Sequence, residues 1–208
     1  MKISVSILSE KDNYKSAVLK LNETNSDYLH LDIMDGSFTE KSSFSFFESK
    51  DINDLSDKKI DIHIMSNNLD LILDDYISLN PEYITIHSEI ENVEKYIDKI
   101  KENNIKVGIA LNPETDINIL NSYIQKIDLI LVMSVVPGKG GQTFMKEIIP
   151  KLEKINELKK DYNFIIEVDG GINNETVDYI KNYVDIIVSG SYITNSENYQ
   201  ENINELLK

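Results

Sequence analysis

Cysteine is absent from the 208 residues, which excludes disulfides, thiolate metal sites and cysteine nucleophiles at once. No apolar stretch is long enough to cross a bilayer. The apolar run that follows Lys2 closes at Ser9-Glu10-Lys11, too short for a signal h-region and without a cleavage-site pattern. Positive charge is scarce, because 21 basic against 36 acidic residues leave a formal charge of −15 and a pI near 4.6. Such a field repels polyanions, so neither nucleic acid nor an anionic membrane surface is an expected partner, and a phosphate group has to be held by local backbone donors. A Gly-rich turn after the first strand is missing too, which removes the dinucleotide-binding fingerprint. Neither a linker nor a sequence-level repeat divides the chain, and 41% hydrophobic residues suffice for a sizeable core. Residues 1–208 therefore read as a single domain, of a composition that fits the cytoplasm.

What is present is an alternation of strands and helices. Apolar segments near Ile3 to Leu8, Tyr28 to Met34, Lys59 to Met65, Tyr83 to His87, Lys106 to Leu111, Leu129 to Met133, Phe164 to Asp169 and Val184 to Val188 read as eight strands. Between them fall helical patterns near Asn13 to Leu21, Phe46 to Asp54, Leu69 to Leu79, Val93 to Asn103 and Ile117 to Lys126. A long helix is expected after the Pro137 to Gln142 loop, running to about Lys160 and kinked or restarted at Pro150. Another, capped by Asn173 or Asn174, should follow strand seven, and an amphipathic one should span Tyr199 to Leu207. Eight such units in this length predict a (β/α)8 TIM barrel of the α/β class.

In the second strand the apolar Leu29, Leu31 and Ile33 alternate with His30, Asp32 and Met34. A buried parallel strand is normally apolar throughout, so this His and Asp have to be compensated by a metal, a partner or a solvated cavity. The third strand repeats the design, with Ile60, Ile62 and Ile64 on one face and Asp61, His63 and Met65 on the other. All three histidines of the chain, His30, His63 and His87, fall at carboxyl ends of strands, where barrels place their active sites. One such histidine alone would read as a hydrogen-bonded core residue. Together with Asp32 and with Asp169 at the end of strand seven, His30 and His63 make a mixed nitrogen and oxygen set suited to one divalent metal ion such as zinc, iron, manganese or cobalt. His87 fits a further ligand or a substrate contact equally well. Met34, Met65 and Met133 also end strands, either as ordinary packing or as an apolar pocket wall that excludes water. Gly138, Gly140 and Gly141 after strand six, Gly170-Gly171 after strand seven and Gly190-Ser191 after strand eight form adjacent turns whose backbone N–H groups suit a phosphate.

Over nearly its whole length the chain resembles the ribulose-phosphate 3-epimerase family. The resemblance rests on Ser4-Val5-Ser6-Ile7-Leu8, on His30 through Phe38, on Asp61-Ile62-His63-Ile64-Met65 and on Ala110-Leu111-Asn112-Pro113. It extends to Val132-Met133-Ser134-Val135, Pro137-Gly138 with Gly140-Gly141-Gln142, and Glu167-Val168-Asp169-Gly170-Gly171-Ile172. Four places depart from the family's usual pattern: Val5 for proline, Lys139 for an apolar or aromatic residue, Val136 for asparagine, and Glu40-Lys41 for a Pro-Asn pair. The resemblance implies that His30, Asp32, His63 and Asp169 bind the metal and that Asp32 and Asp169 are the acid and base pair. It also implies that Ser6 and His87 touch the sugar beside His63, and that the glycines and Ser191 line the phosphate pocket. The implied substrate is a small sugar phosphate, and the implied reaction interconverts D-ribulose 5-phosphate and D-xylulose 5-phosphate in the pentose phosphate pathway, by two-base proton transfer through a metal-stabilised enediolate. Assembly as a homo-oligomer is implied as well. A 3-epimerase of a ketohexose 6-phosphate such as allulose 6-phosphate, a non-catalytic sugar-phosphate binder and a metal-dependent hydrolase are the competing readings.

Overall fold

Strand alternation with a period of two separates the side chains of each strand into those that meet the helices and those that fill the barrel. The computed structural model describes residues 1–138 and 141–208; Lys139 and Gly140, the latter an expected phosphate-loop residue, lie outside the described residues. Among the described residues eight parallel strands close into a (β/α)8 barrel in chain order: β1 Lys2–Ser6, β2 Tyr28–Met34, β3 Lys59–Met65, β4 Tyr83–His87, β5 Lys106–Leu111, β6 Leu129–Met133, β7 Ile165–Asp169 and β8 Ile186–Ser189. Register sets the mouth of the barrel: Ser6 pairs with His30, Asp32 with His63, Met34 with Met65, and Met133 with Asp169.

Leu29, Leu31, Ile33, Ile60, Ile62 and Ile64 join the large apolar layer between sheet and helices. Full burial of each such side chain contributes about 1.5–3 kcal/mol. A second, smaller apolar cluster fills the barrel itself, with Tyr28, Tyr83, Leu129 and Ile186 among its members. Tyr28 and Tyr83 meet edge to face, ring centroids 5.8 Å apart. The polar inward residues lie nearer the carboxyl ends of the same strands.

The helices are α1 Tyr14–Asn22, α2 Phe46–Leu55, α3 Leu69–Ser78, α4 Val93–Glu102, α5 Ile149–Leu158, the short α6 Ser191–Thr194 and α7 Tyr199–Leu206. The short α2 is fixed by a capping box: the Glu48 amide donates to Ser45 Oγ at 3.3 Å, and the Ser45 amide donates to the Glu48 carboxylate at 2.7 Å.

Four expectations are corrected. The helix expected over Ile117 to Lys126 is a 3-10 segment, Ile117–Ser122, capped by Asp116. The long helix after the sixth loop is confined to α5, preceded by one 3-10 turn, Lys146–Ile148. Pro150 sits in the first turn of α5, where an N–H has no intrahelical acceptor anyway, so the ring restarts the helix rather than kinking one. After β7 there is one 3-10 turn, Val177–Tyr179; Asn173 Oδ1 accepts from the amides of Glu175 and Thr176 at 2.8 and 3.0 Å, a local turn that competes with helix. The first strand also ends two residues early, because Leu8–Asn13 is 3-10 helix.

Candidate active site

Asp32 lies at the centre of the barrel mouth. Its Oδ2 accepts from Ser6 Oγ at 2.8 Å, which turns Oδ1 toward two imidazoles, His30 Nε2 and His63 Nδ1, each 3.4 Å away. Neither ring nitrogen has a hydrogen-bond partner, although both are buried. His30 is held from behind: its Nδ1 is 2.7 Å from Asp61 Oδ2, which also accepts from Ser4 Oγ at 2.8 Å. A carboxylate only accepts, so His30 carries a proton on Nδ1 toward Asp61, and Nε2 is the nitrogen turned toward Asp32 and the metal position. His63 Nε2 is 2.9 Å from His87 Nε2, and His87 Nδ1 is 3.0 Å from Glu89 Oε2.

Asp169 completes the group from β7. Ligand atoms of His30, Asp32, His63 and Asp169 all lie within 4.8 Å of one another. Two unpartnered, buried imidazole nitrogens and two carboxylates converging on one point suit a divalent transition metal. A second close group, His30 with Asp61 and Glu167, lies deeper in the barrel, but there the His30 nitrogen is already bonded to Asp61.

Burial and mutual charge divide these groups sharply. Burial opposes ionisation of Asp32, yet the adjacent His30 and His63 hold its carboxyl far below the usual range. Burial likewise disfavours charge on His30, but the Asp61 and Asp32 carboxylates push its pKa well above 6.5. Asp169 moves the other way, since burial and then the Asp32 charge push it up to about 7. Glu167, fully buried beside the Asp61 charge, is raised well above the ordinary carboxylate value. The two carboxyls at one mouth are thus pushed in opposite directions, Asp32 down and Asp169 up.

Above the cluster is a cavity of about 70 Å³ lined by Ser6, Asp32, Met65, Met133, Gly138, Gly141, Asp169, Gly170, Gly171, Gly190 and Ser191, among others. It shares Leu8, Ser9, Gly138, Gly141 and Ser191 with an adjoining groove of about 350 Å³, which Met34, Lys11 and Lys41 also line. Glycine is required at 170 and 171, both at positive φ. A Cβ on Gly171 would lie 2.5 Å from the Phe144 amide nitrogen, so this loop can lie against the sixth only without side chains.

Ser6, Asp32, Asp169, Met65, Met133 and every described glycine of the expected phosphate pocket therefore face one cavity, and His30 and His63 lie directly beneath. Met34 reaches the groove rather than the cavity. His87 is not among the residues lining this cavity. It is fully buried, both ring nitrogens are engaged, and Phe38 covers its ring at a centroid distance of 4.4 Å. The sequence pattern does not mark Asp61, Glu167 and Glu89 as site residues, although Asp61 and Glu167 stand two residues before His63 and Asp169 on the same strand faces, and alternation alone marks them as inward.

The chain is similar to known proteins over most of its length. The chain is 39% identical over 184 residues to the ribulose-phosphate 3-epimerase of Buchnera aphidicola subsp. Baizongia pistaciae, covering 85% of this chain and 81% of that protein. With the enzyme of that name from Helicobacter pylori strain J99 the identity is 34% over 201 residues, covering 95% and 92%. The fold is shared more widely: 3-hexulose-6-phosphate synthase from Salmonella typhimurium superposes with a TM-score of 0.65 at 18% identity over 99% of this chain and 96% of that one. The profile of the Ribulose-phosphate 3 epimerase family spans residues 2–194, from the first strand through the Gly190-Ser191 turn, and the chain belongs to that family.

Proposed function

We propose that the protein is a metal-dependent 3-epimerase that interconverts D-ribulose 5-phosphate and D-xylulose 5-phosphate. The observation that carries this reading is the convergence of Asp32 and Asp169 on one cavity, their carboxylate oxygens grouped with the nitrogens of His30 and His63 within 4.8 Å. Inversion at C3 requires a proton taken from one face of the carbon and another delivered to the opposite face. In one direction the ionised Asp32 accepts the C3 proton and the protonated Asp169 supplies its replacement; in the other the roles exchange. Ser6, donating to Asp32 Oδ2, holds the carboxylate in place and sits within the cavity wall. Met65 and Met133 give that wall an apolar face that limits water around the carbanionic carbon.

His30, Asp32, His63 and Asp169 would hold a divalent ion, whose chemistry when bound is Lewis-acid stabilisation of negative charge on the substrate's oxygens. Gly138, Gly141, Gly170, Gly171, Gly190 and Ser191 would surround the phosphate. The chain has no arginine, so backbone donors carry that recognition, with Lys11 and Lys41 in the adjoining groove supplying positive charge in an otherwise acidic protein.

The test is turnover of ribulose 5-phosphate and, side by side, allulose 6-phosphate, before and after chelation and metal restoration. Chelator-sensitive formation of xylulose 5-phosphate supports the reading. Preference for the hexulose phosphate would reassign the substrate, binding without turnover would leave a sugar-phosphate binder, and release of inorganic phosphate would indicate a hydrolase.

A further inference from the structure

Both imidazoles that face Asp32 present a bare nitrogen to the site, but they present different ones, Nε2 from His30 and Nδ1 from His63. An imidazole exposes a given nitrogen as a lone pair only if the proton is kept on the other. For His30 the keeper is Asp61, in direct contact. His63 has no carboxylate behind it. Its Nε2 meets another imidazole, that of His87, which can either donate or accept.

The next link removes that freedom. Glu89 accepts through both oxygens: Oε2 faces His87 Nδ1 at 3.0 Å, while Oε1 accepts from the Asn112 amide at 2.9 Å and from the Thr115 hydroxyl. The Asn112 to Thr115 loop is itself anchored, since Lys151 Nζ on α5 donates to the carbonyls of Asn112 and Pro113 at 2.8 and 2.7 Å. Phe38, packed on the His87 ring, fixes its plane.

We infer that Glu89 is a positioning residue that sets the tautomer of His63 through His87. The carboxylate requires N–H at His87 Nδ1. That leaves His87 Nε2 as an acceptor, so His63 donates from Nε2 and its Nδ1 lone pair points at the site. Glu89 thereby does for His63, two rings away, what Asp61 does for His30 in one contact. The consequence for metal affinity rests on the proposed metal site; the proton arrangement itself does not.

Glu89→Gln makes a sharp test because it keeps the shape and reverses the logic. A backbone amide cannot turn round, so the new amide oxygen stays with Asn112 N–H and its NH2 group faces His87 Nδ1. His87 must then donate from Nε2, and His63 is driven to carry its proton on Nδ1, toward the metal position. Glu89→Ala removes the acceptor without imposing the reversed pattern. We expect zinc affinity, measured by competition against a chromophoric chelator, to fall about 10–100-fold in Glu89→Gln. Glu89→Ala should lose less affinity while losing more thermal stability. A merely structural role predicts the opposite order, with the isosteric glutamine the milder change in both measurements.

The tautomers are read directly from imidazole nitrogen-15 shifts in the metal-free wild-type protein, which needs no variant to fold. Protonation of His63 at Nε2 and of His87 at Nδ1 supports the inference. A His63 proton on Nδ1, a doubly protonated His87, or wild-type tautomer and zinc affinity in Glu89→Gln overturns it. If the wild-type protein takes up no zinc, the metal reading fails, and the nitrogen shifts still decide the relay.

Discussion

Strands β1 to β4 send Ser4, Ser6, His30, Asp32, Asp61, His63, Thr85 and His87 into the barrel, whereas β5 and β6 send Gly108, Ala110, Leu129, Leu131 and Met133. In the later half, among the described residues, only Glu167 and Asp169 of β7 bring carboxyl groups inward, and the loops above are glycine turns. In the first half all of these but Thr85 belong to one polar network; the second is apolar packing topped by close backbone contacts. A polar interior tolerates little substitution, because removing one partner strands another in a low-dielectric surround. The apolar half forms part of the cavity wall, and it contributes one carboxyl group to the mouth, Asp169.

That contrast can be broken most severely at the carboxyl pair. Asp32→Asn and Asp169→Asn, one on each side of the divide, should each lower turnover roughly 10²–10⁴-fold or more while retaining the circular dichroism of the fold. Near-normal exchange of the C3 hydrogen with solvent deuterium in either variant would refute the two-base assignment.

Next comes Asp61→Leu. It leaves His30 buried without its counter-charge and should cost about 3–5 kcal/mol in denaturant unfolding, with weaker metal retention. A change below 1 kcal/mol would mean that His30 does not rely on Asp61.

The pH dependence of Asp169 is expected to be of comparable size and opposite in kind. Its folded pKa, pushed up to about 7 by burial and by Asp32, exceeds the unfolded value, so the native state binds the proton more tightly. That stability is present below about pH 4 and is lost as pH rises through 7. Metal-free wild-type protein should therefore lose on the order of 4 kcal/mol relative to metal-free Asp169→Asn between those limits. Other titrating groups are common to both proteins and largely cancel. A constant gap between the two unfolding curves would show that Asp169 titrates as an ordinary carboxyl.

The smallest effect belongs to Glu167→Gln. Burial and the Asp61 charge keep Glu167 neutral near pH 7, so a neutral isostere should change stability by less than about 1 kcal/mol. A large loss would require that Glu167 be ionised in the native barrel.

Much of this architecture is legible in the chain. The alternation in Tyr28 to Met34 and Lys59 to Met65 assigns each residue a face, and the structure keeps those faces. The 3-10 segments at Ile117–Ser122 and Val177–Tyr179 are not legible as such, because short stretches of helical spacing carry no record of whether the hydrogen bonds close at three residues or four. Asp61 and Glu167 are readable as inward but not as mutual neighbours: they sit on strands three and seven, brought close only when the sheet closes. The position of His87 at a strand end is legible, but its contacts with Phe38 over the ring and Glu89 behind it come only from the tertiary structure.

The sequence by itself determined the number of strands, the face each inward residue takes and the absence of any thiol chemistry, because a strand's period of two and a side chain's functional group are local properties. Which nitrogen of each histidine faces the mouth, that Asp169 comes within reach of Asp32, and that one carboxyl is pushed down in pKa and the other up were decided only by the closed barrel. Those are relations of distance and desolvation between residues remote in the chain, and no local pattern encodes them.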